Sequence, residues 1–100
     1  MLYQIIWTDD AIEDYHNNIS YLLKDWSVKV AQNFIEEREE ILDLIGKSPF
    51  IFPFTKYLSI RKAVLRKQIS IFCKVEENNI YLIRFWNNYQ NLGQLVKKLL

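Results

Sequence analysis

The chain has 100 residues, half of them hydrophobic and 15% aromatic, with a formal net charge of +1. That length and composition suit one domain, residues 1–100, with enough apolar material for a core. The lone cysteine, Cys73, excludes an internal disulfide and a cysteine-based zinc cluster. With no apolar run of about 18 residues and no basic start and cleavage site of a signal peptide, the expected setting is a soluble cytoplasmic protein with no membrane partner.

The near-neutral total hides a division. Residues 1–46 carry ten acidic against three basic side chains, a net charge of −7, and residues 47–100 carry ten basic against two acidic, a net charge of +8. Asymmetry of this size points to a partner-binding or anion-binding half.

In chain order, residues 2–7 are rich in β-branched and aromatic types and predict a strand. Thr8 or Asp9 suits a helix N-cap, with Asp10 and Glu13 in the first turn, where acids favour the helix dipole. Ala11, Ile12, Tyr15, Ile19, Leu22 and Leu23 then recur at the spacing of one helix face. This helix is expected to stop near Lys24–Trp26, with Ser27 capping a second one. The apolar face of the second helix is Val30, Ala31, Phe34, Ile35, Ile41, Leu42 and Ile45, and Gly46 suits a left-handed closing position. Two helices joined by so few residues predict an antiparallel hairpin.

Pro49 and Pro53 mark a loop over 47–59 that is aromatic, with Phe50, Phe52, Phe54 and Tyr57. Three strands follow: Ile60–Leu65, a tight turn at Arg66–Lys67, Gln68–Val75, a turn whose positive φ angles suit Asn78–Asn79, and Ile80–Trp86. Residues 91–100 suit a short C-terminal helix, with Leu92, Leu95, Val96 and Leu99 on one side. The order β-α-α-β-β-β, a small antiparallel-rich sheet with the helical hairpin packed on one face, makes an α+β domain.

Several stretches within that order carry a family likeness. They are Ile6-Trp7-Thr8-Asp9-Asp10-Ala11, Tyr21-Leu22 with Trp26-Ser27, Ser48-Pro49 with Phe52-Pro53, Ile60-Arg61-Lys62-Ala63-Val64-Leu65, and Ile83 to Asn91. In this order and spacing they resemble the RelE/ParE superfamily of type II toxin–antitoxin toxins, over nearly the full chain. The resemblance implies a growth-inhibiting toxin neutralised by a cognate antitoxin, with no cofactor and no metal. It leaves two branches: RelE-like toxins that cut mRNA on the ribosome without a metal, and ParE-like toxins that inhibit DNA gyrase and are not nucleases.

Metal-free RNA cleavage needs a base for the 2′-OH, an acid for the leaving 5′ oxygen and a cation for the charge on phosphorus. The resemblance places such groups on the concave face of the sheet. An Arg is expected where Gln68 and Ile69 stand, and a His or Arg with Tyr where Asn87-Asn88-Tyr89 stands. Asparagine does not titrate. Arg61, Arg66 and Tyr89 are the residues left for catalysis if the chain is a nuclease, and His16, in the first helix, reads as a solvated position. The incomplete set favours the ParE-like branch; the RelE-like endoribonuclease is the alternative, and a non-toxic binding module on the same fold a further one.

For target or antitoxin binding the candidates are Lys56, Arg61, Lys62, Arg66, Lys67, Arg84 and Trp86. This basic run could follow phosphates, dock an acidic antitoxin segment, or protect a solvated strand edge. Strand alternation places Arg61 with Ala63 and Leu65, opposite Ile60, Lys62 and Val64. It places Arg84 with Leu82 and Trp86, opposite Ile83 and Phe85. Arg84 in an apolar strand is a structural ion pair or a functional cation. Trp86 and Tyr89 suit base stacking, or for Trp86 core packing, and Cys73 suits the core.

Overall fold

A computed structural model of the chain describes residues 3–56, 59–66 and 69–87, and of Arg66 the backbone only. The elements are β1 (Gln4–Trp7), α1 (Asp9–Asp25), α2 (Val28–Lys47), a 3-10 turn at Pro49–Ile51, β2 (Arg61–Arg66), β3 (Ile69–Glu76) and β4 (Asn79–Asn87). This is the expected α+β order, with strand ends displaced by a residue or two. Lys67 and Gln68, in the expected turn and strand start, and the expected helix over 91–100 lie outside the described residues.

Both helix starts follow local chemistry. The Thr8 hydroxyl accepts from the Ala11 N–H and the Ser27 hydroxyl from the Val30 N–H, each satisfying an orphan donor of the first turn. With only Trp26 and Ser27 between them, the helices form a hairpin. It carries the chain from β1 across the sheet, so β1 pairs parallel with β4 while β4, β3 and β2 form an antiparallel meander in the order β1-β4-β3-β2.

The hairpin covers one face. Ala11, Leu22, Ala31, Phe34 and Ile45 meet Ala63, Ile69, Ile71, Cys73, Ile80, Leu82 and Phe85 in one buried cluster. At its centre Trp7 stacks on Phe85 with ring centroids 5.0 Å apart, and Tyr15 meets both rings edge-on. The opposite face carries a smaller cluster of Ile60, Phe72 and Trp86, with Ile83 packed against it.

Three local expectations differ from the structure. First, β4 is bulged: Phe72 pairs with Arg84 and Cys73 with Leu82, which leaves Ile83 as an extra residue. The extra residue reverses the alternation, so Leu82 shares the helix-side core with Phe85, while Arg84, Trp86 and Ile83 belong to the other face. Second, α2 runs through Gly46 to Lys47 and is capped at Ser48. Gly46 has no positive φ; it sits buried inside the helix, where Ile5 packs over it and its carbonyl accepts from the Tyr3 N–H at 3.1 Å. Third, in the β3–β4 turn the positive φ falls on Glu77 (54°) and not on the asparagines that follow it.

Candidate functional site

Beyond Trp7 no strand among the described residues pairs with the outer edge of β4, and α1 takes that role with side chains. The Thr8 hydroxyl donates to the Leu82 carbonyl at 2.7 Å, and the Thr8 N–H donates to the same oxygen at 3.2 Å. Asp14 accepts from the Phe85 N–H at 3.1 Å, and the Asn18 amide donates to the Phe85 carbonyl at 2.9 Å. Buried backbone groups at a strand edge need such partners. The same Asp14 carboxylate holds Arg84 at 2.7 Å, with Asp10 at 3.4 Å. Arg84 is 7% exposed, and its guanidinium lies 5.7 Å from the Trp86 ring. Of the two readings of Arg84, its geometry is that of a buried ion pair tying α1 to β4.

The remaining basic candidates divide by face. Arg61 shares the helix side of β2 with Ala63, as the alternation predicts. There it turns into the 47–59 loop, where it donates to the Phe52 carbonyl at 2.7 Å and the Phe50 carbonyl at 3.4 Å. Its guanidinium lies 3.9 Å from the centre of the Phe54 ring and 5.0 Å from that of Phe50. Lys62 points to the opposite face, the face of Phe72 and Lys74. Lys74 pairs with Glu76 at 2.9 Å. Neither Arg61 nor Lys62 has a carboxylate partner among the described residues.

Lys56 is exposed on the loop. Trp86 is 2% exposed, too enclosed to present a ring face to solvent. Arg66 is placed by its backbone alone, at the end of β2; Lys67 and Tyr89 lie outside the described residues. The structure therefore does not bring Arg61 and Lys62 together on one face, and it withdraws Arg84 into an ion pair.

Cys73 lies in the core opposite Arg61 in the β2–β3 register. Burial pushes its thiol up to about 11, against a smaller lowering by the Arg61 charge. A thiol held protonated at neutral pH is a poor nucleophile. His16 is exposed on α1. Among the described residues no group of three or more His, Cys, Asp or Glu could hold a metal ion, and no helix is long and apolar enough to cross a membrane.

Asp14 and Asn18 were not among the sequence candidates. The signal for Asn18 was present: Ala11, Tyr15, Asn18 and Leu22 form one helical stripe, and a polar residue inside an apolar stripe needs a buried partner.

A helical hairpin inserted between β1 and β2, laid on a sheet in which a parallel β1–β4 pair extends an antiparallel meander, is the fold of RelE/ParE toxins, the class that the sequence resembles. Among the solved structures that share it are chains from toxin–antitoxin systems. A chain of the chromosomal ParDE system from P. aeruginosa matches with a TM-score of 0.72 at 14% identity, over 85% of this chain and 95% of that one. The YoeB dimer from Staphylococcus aureus matches at 0.60 and 14% identity, over 87% and 98%. A chain of the RelBE2 toxin–antitoxin complex from Mycobacterium tuberculosis matches at 0.57 and 9% identity, over 88% and 100%. No protein-family profile matches the sequence, and no curated protein is detectably similar to it.

Proposed function

We propose that the chain is the toxin of a type II toxin–antitoxin pair, neutralised by a cognate antitoxin, and that it acts in the ParE manner on DNA gyrase. The observation that carries the toxin reading is the fold, shared over nearly the whole of both chains with proteins from such systems. Support for the gyrase branch comes from the faces of the sheet. Transition-state stabilisation at phosphorus needs a cation beside the proton-transfer groups. Arg61 lies instead on the helix side, engaged with loop carbonyls. Among the described residues of the other face, Lys62, Lys74, Glu76 and Tyr81 are the groups able to move a proton, and Lys74 and Glu76 pair with each other.

The test is induced expression followed by two assays. Growth arrest, inhibition of supercoiling by purified gyrase at micromolar protein, and intact mRNA are the expected results. Codon-linked mRNA cleavage, abolished by Lys62→Ala, would transfer the reading to the endoribonuclease alternative. Normal growth at high expression would favour the non-toxic binding module.

A further inference from the structure

We propose that the cavity between α2 and the outer edge of β1 binds a short aliphatic diamine, held by its two ammonium groups and its methylene stem. The inference goes beyond the proposed function and requires neither an antitoxin nor a target.

Glu39, Leu42, Asp43 and Gly46 recur at the spacing of one face of α2 and meet Tyr3 and Ile5 across a cavity of about 270 Å³. Gly46 keeps that space open, since it has no side chain and only Ile5 stands within 4 Å of where a Cβ would lie. The Gln4 N–H turns inward to the Asn78 carbonyl, and the Tyr3 N–H turns outward to the Gly46 carbonyl. Strand alternation therefore sends the N–H and carbonyl of Ile5 outward as well, and no described residue bonds them there. The cavity thus joins an apolar floor, Ile5 and Leu42, to an aromatic side chain, an open strand carbonyl and two carboxylates at its rim.

Charge and size select the ligand. From Glu36 to Asp43 the chain has five acids against Arg38 alone. The cavity carboxylates do have partners, Arg38 for Glu39 and Lys47 for Asp43, but the Glu39 side chain is 70% exposed and that of Asp43 64%. Ion pairs in solvent hold little free energy, so an incoming ammonium replaces them at little cost. Gly46, in the last turn of α2, brings the negative end of the helix dipole to the same place. Side chains four residues apart on a helix are rooted about 6 Å from each other. An extended 1,4-diaminobutane matches that span and lays its methylenes on Ile5 and Leu42. A monoamine reaches one carboxylate only, and drug-sized ligands need about 300–1,000 Å³.

The test titrates the full-length chain, labelled with ¹⁵N by cell-free synthesis, with 1,4-diaminobutane and with butylamine, which keeps the stem and one ammonium. The expected result is amide shifts confined to residues 3–5 and 39–46, with butylamine binding about threefold more weakly. The melting temperature rises as the diamine saturates the site. Glu39→Gln and Asp43→Asn, both at exposed positions, each weaken diamine binding about threefold. Glu13→Gln, at an exposed position on α1 outside the cavity, leaves it unchanged. Shifts spread over the acids of both helices, equal affinity for the two amines, unchanged affinity in both α2 variants, or equal weakening by Glu13→Gln would each overturn the proposal. So would N-acetyl-lysine methylamide binding more tightly than the diamine, which would assign the cavity to a lysine side chain of another protein.

Discussion

Replacing Asp14 by alanine tests how α1 is fastened to the sheet. The Asp14 side chain is 12% exposed and that of Arg84 8%, and their atoms approach to 2.7 Å. The other Asp14 oxygen accepts the Phe85 N–H at 3.1 Å. Deleting one partner of a buried ion pair costs about 3–5 kcal/mol, because the other charge stays buried. Asp10 remains at 3.4 Å, but its side chain is 70% exposed, so it restores less than about 1 kcal/mol. The Phe85 N–H, left without that acceptor, adds about 1 kcal/mol. The expected loss is about 4 kcal/mol, a large part of the 5–15 kcal/mol typical of such a domain. Urea denaturation followed by far-UV circular dichroism measures it. Asp14→Asn keeps an acceptor and should lose about half as much. The double variant Asp14→Leu with Arg84→Met removes both charges and should recover most of the loss, since a buried pair is worth little against an apolar replacement. A loss below about 1 kcal/mol for Asp14→Ala, or a double variant as unstable as the two single losses combined, would refute the reasoning.

Three further outcomes follow from local geometry. Gly46→Ala should stabilise the chain by about 0.5–1 kcal/mol, because alanine favours a helix interior; the new Cβ would meet Ile5 Cδ1 at 3.5 Å, an ordinary contact. A melting temperature that falls instead of rising by a few degrees would show that the Ile5 contact is too tight. The Cys73 thiol keeps its proton to about pH 11 in the folded chain, against 9.0 ordinarily. Its contribution is thus fully present below pH 9 and is lost as the unfolded chain ionises between pH 9 and pH 11. Wild type should accordingly lose about 2 kcal/mol more than Cys73→Ala over that window, and its thiol should resist iodoacetamide at pH 8 until urea unfolds it. Glu77→Gly should gain a few tenths of a kcal/mol by relieving the 54° φ, whereas Glu77→Val should lose stability; equal stabilities in urea would argue against strain at that turn.

Much of the architecture is legible in the sequence because periodicity and caps are local. Thr8 and Ser27 stand immediately before the two helical stripes, and both accept the N–H expected of a cap. The alternation of β2 is equally local, so Arg61 falls with Ala63. Strict alternation fails in β4 because Ile83 is inserted opposite a regular β3, and nothing within Ile80–Trp86 marks a bulge with glycine. The error carries into the site, because parity there decides which face Arg84 and Trp86 occupy. Asp14 was equally out of reach: its partners are 70 and 71 residues away, and an acid on an acidic helix reads as solvated until the helix is laid against the sheet.

The charge division takes a different meaning once folded. Among the described residues the acidic half supplies both helices along with β1, and the basic half the loop and β2, β3 and β4. Part of that opposition is internal: Asp14 and Asp10 hold Arg84 across the layers, and Lys47 turns back to Asp43 at 2.9 Å. Within the sheet Glu76 neutralises Lys74. Among the described sheet residues with a placed side chain, the cations left without a carboxylate are therefore Arg61 and Lys62, adjacent on β2 and turned to opposite faces of the same edge strand. Among the described sheet residues, that surplus lies on a single edge strand and is divided between its two faces. A phosphate backbone crossing a broad basic surface would draw on cations spread over several strands of one face. The arrangement of the described cations thus weakens the endoribonuclease reading.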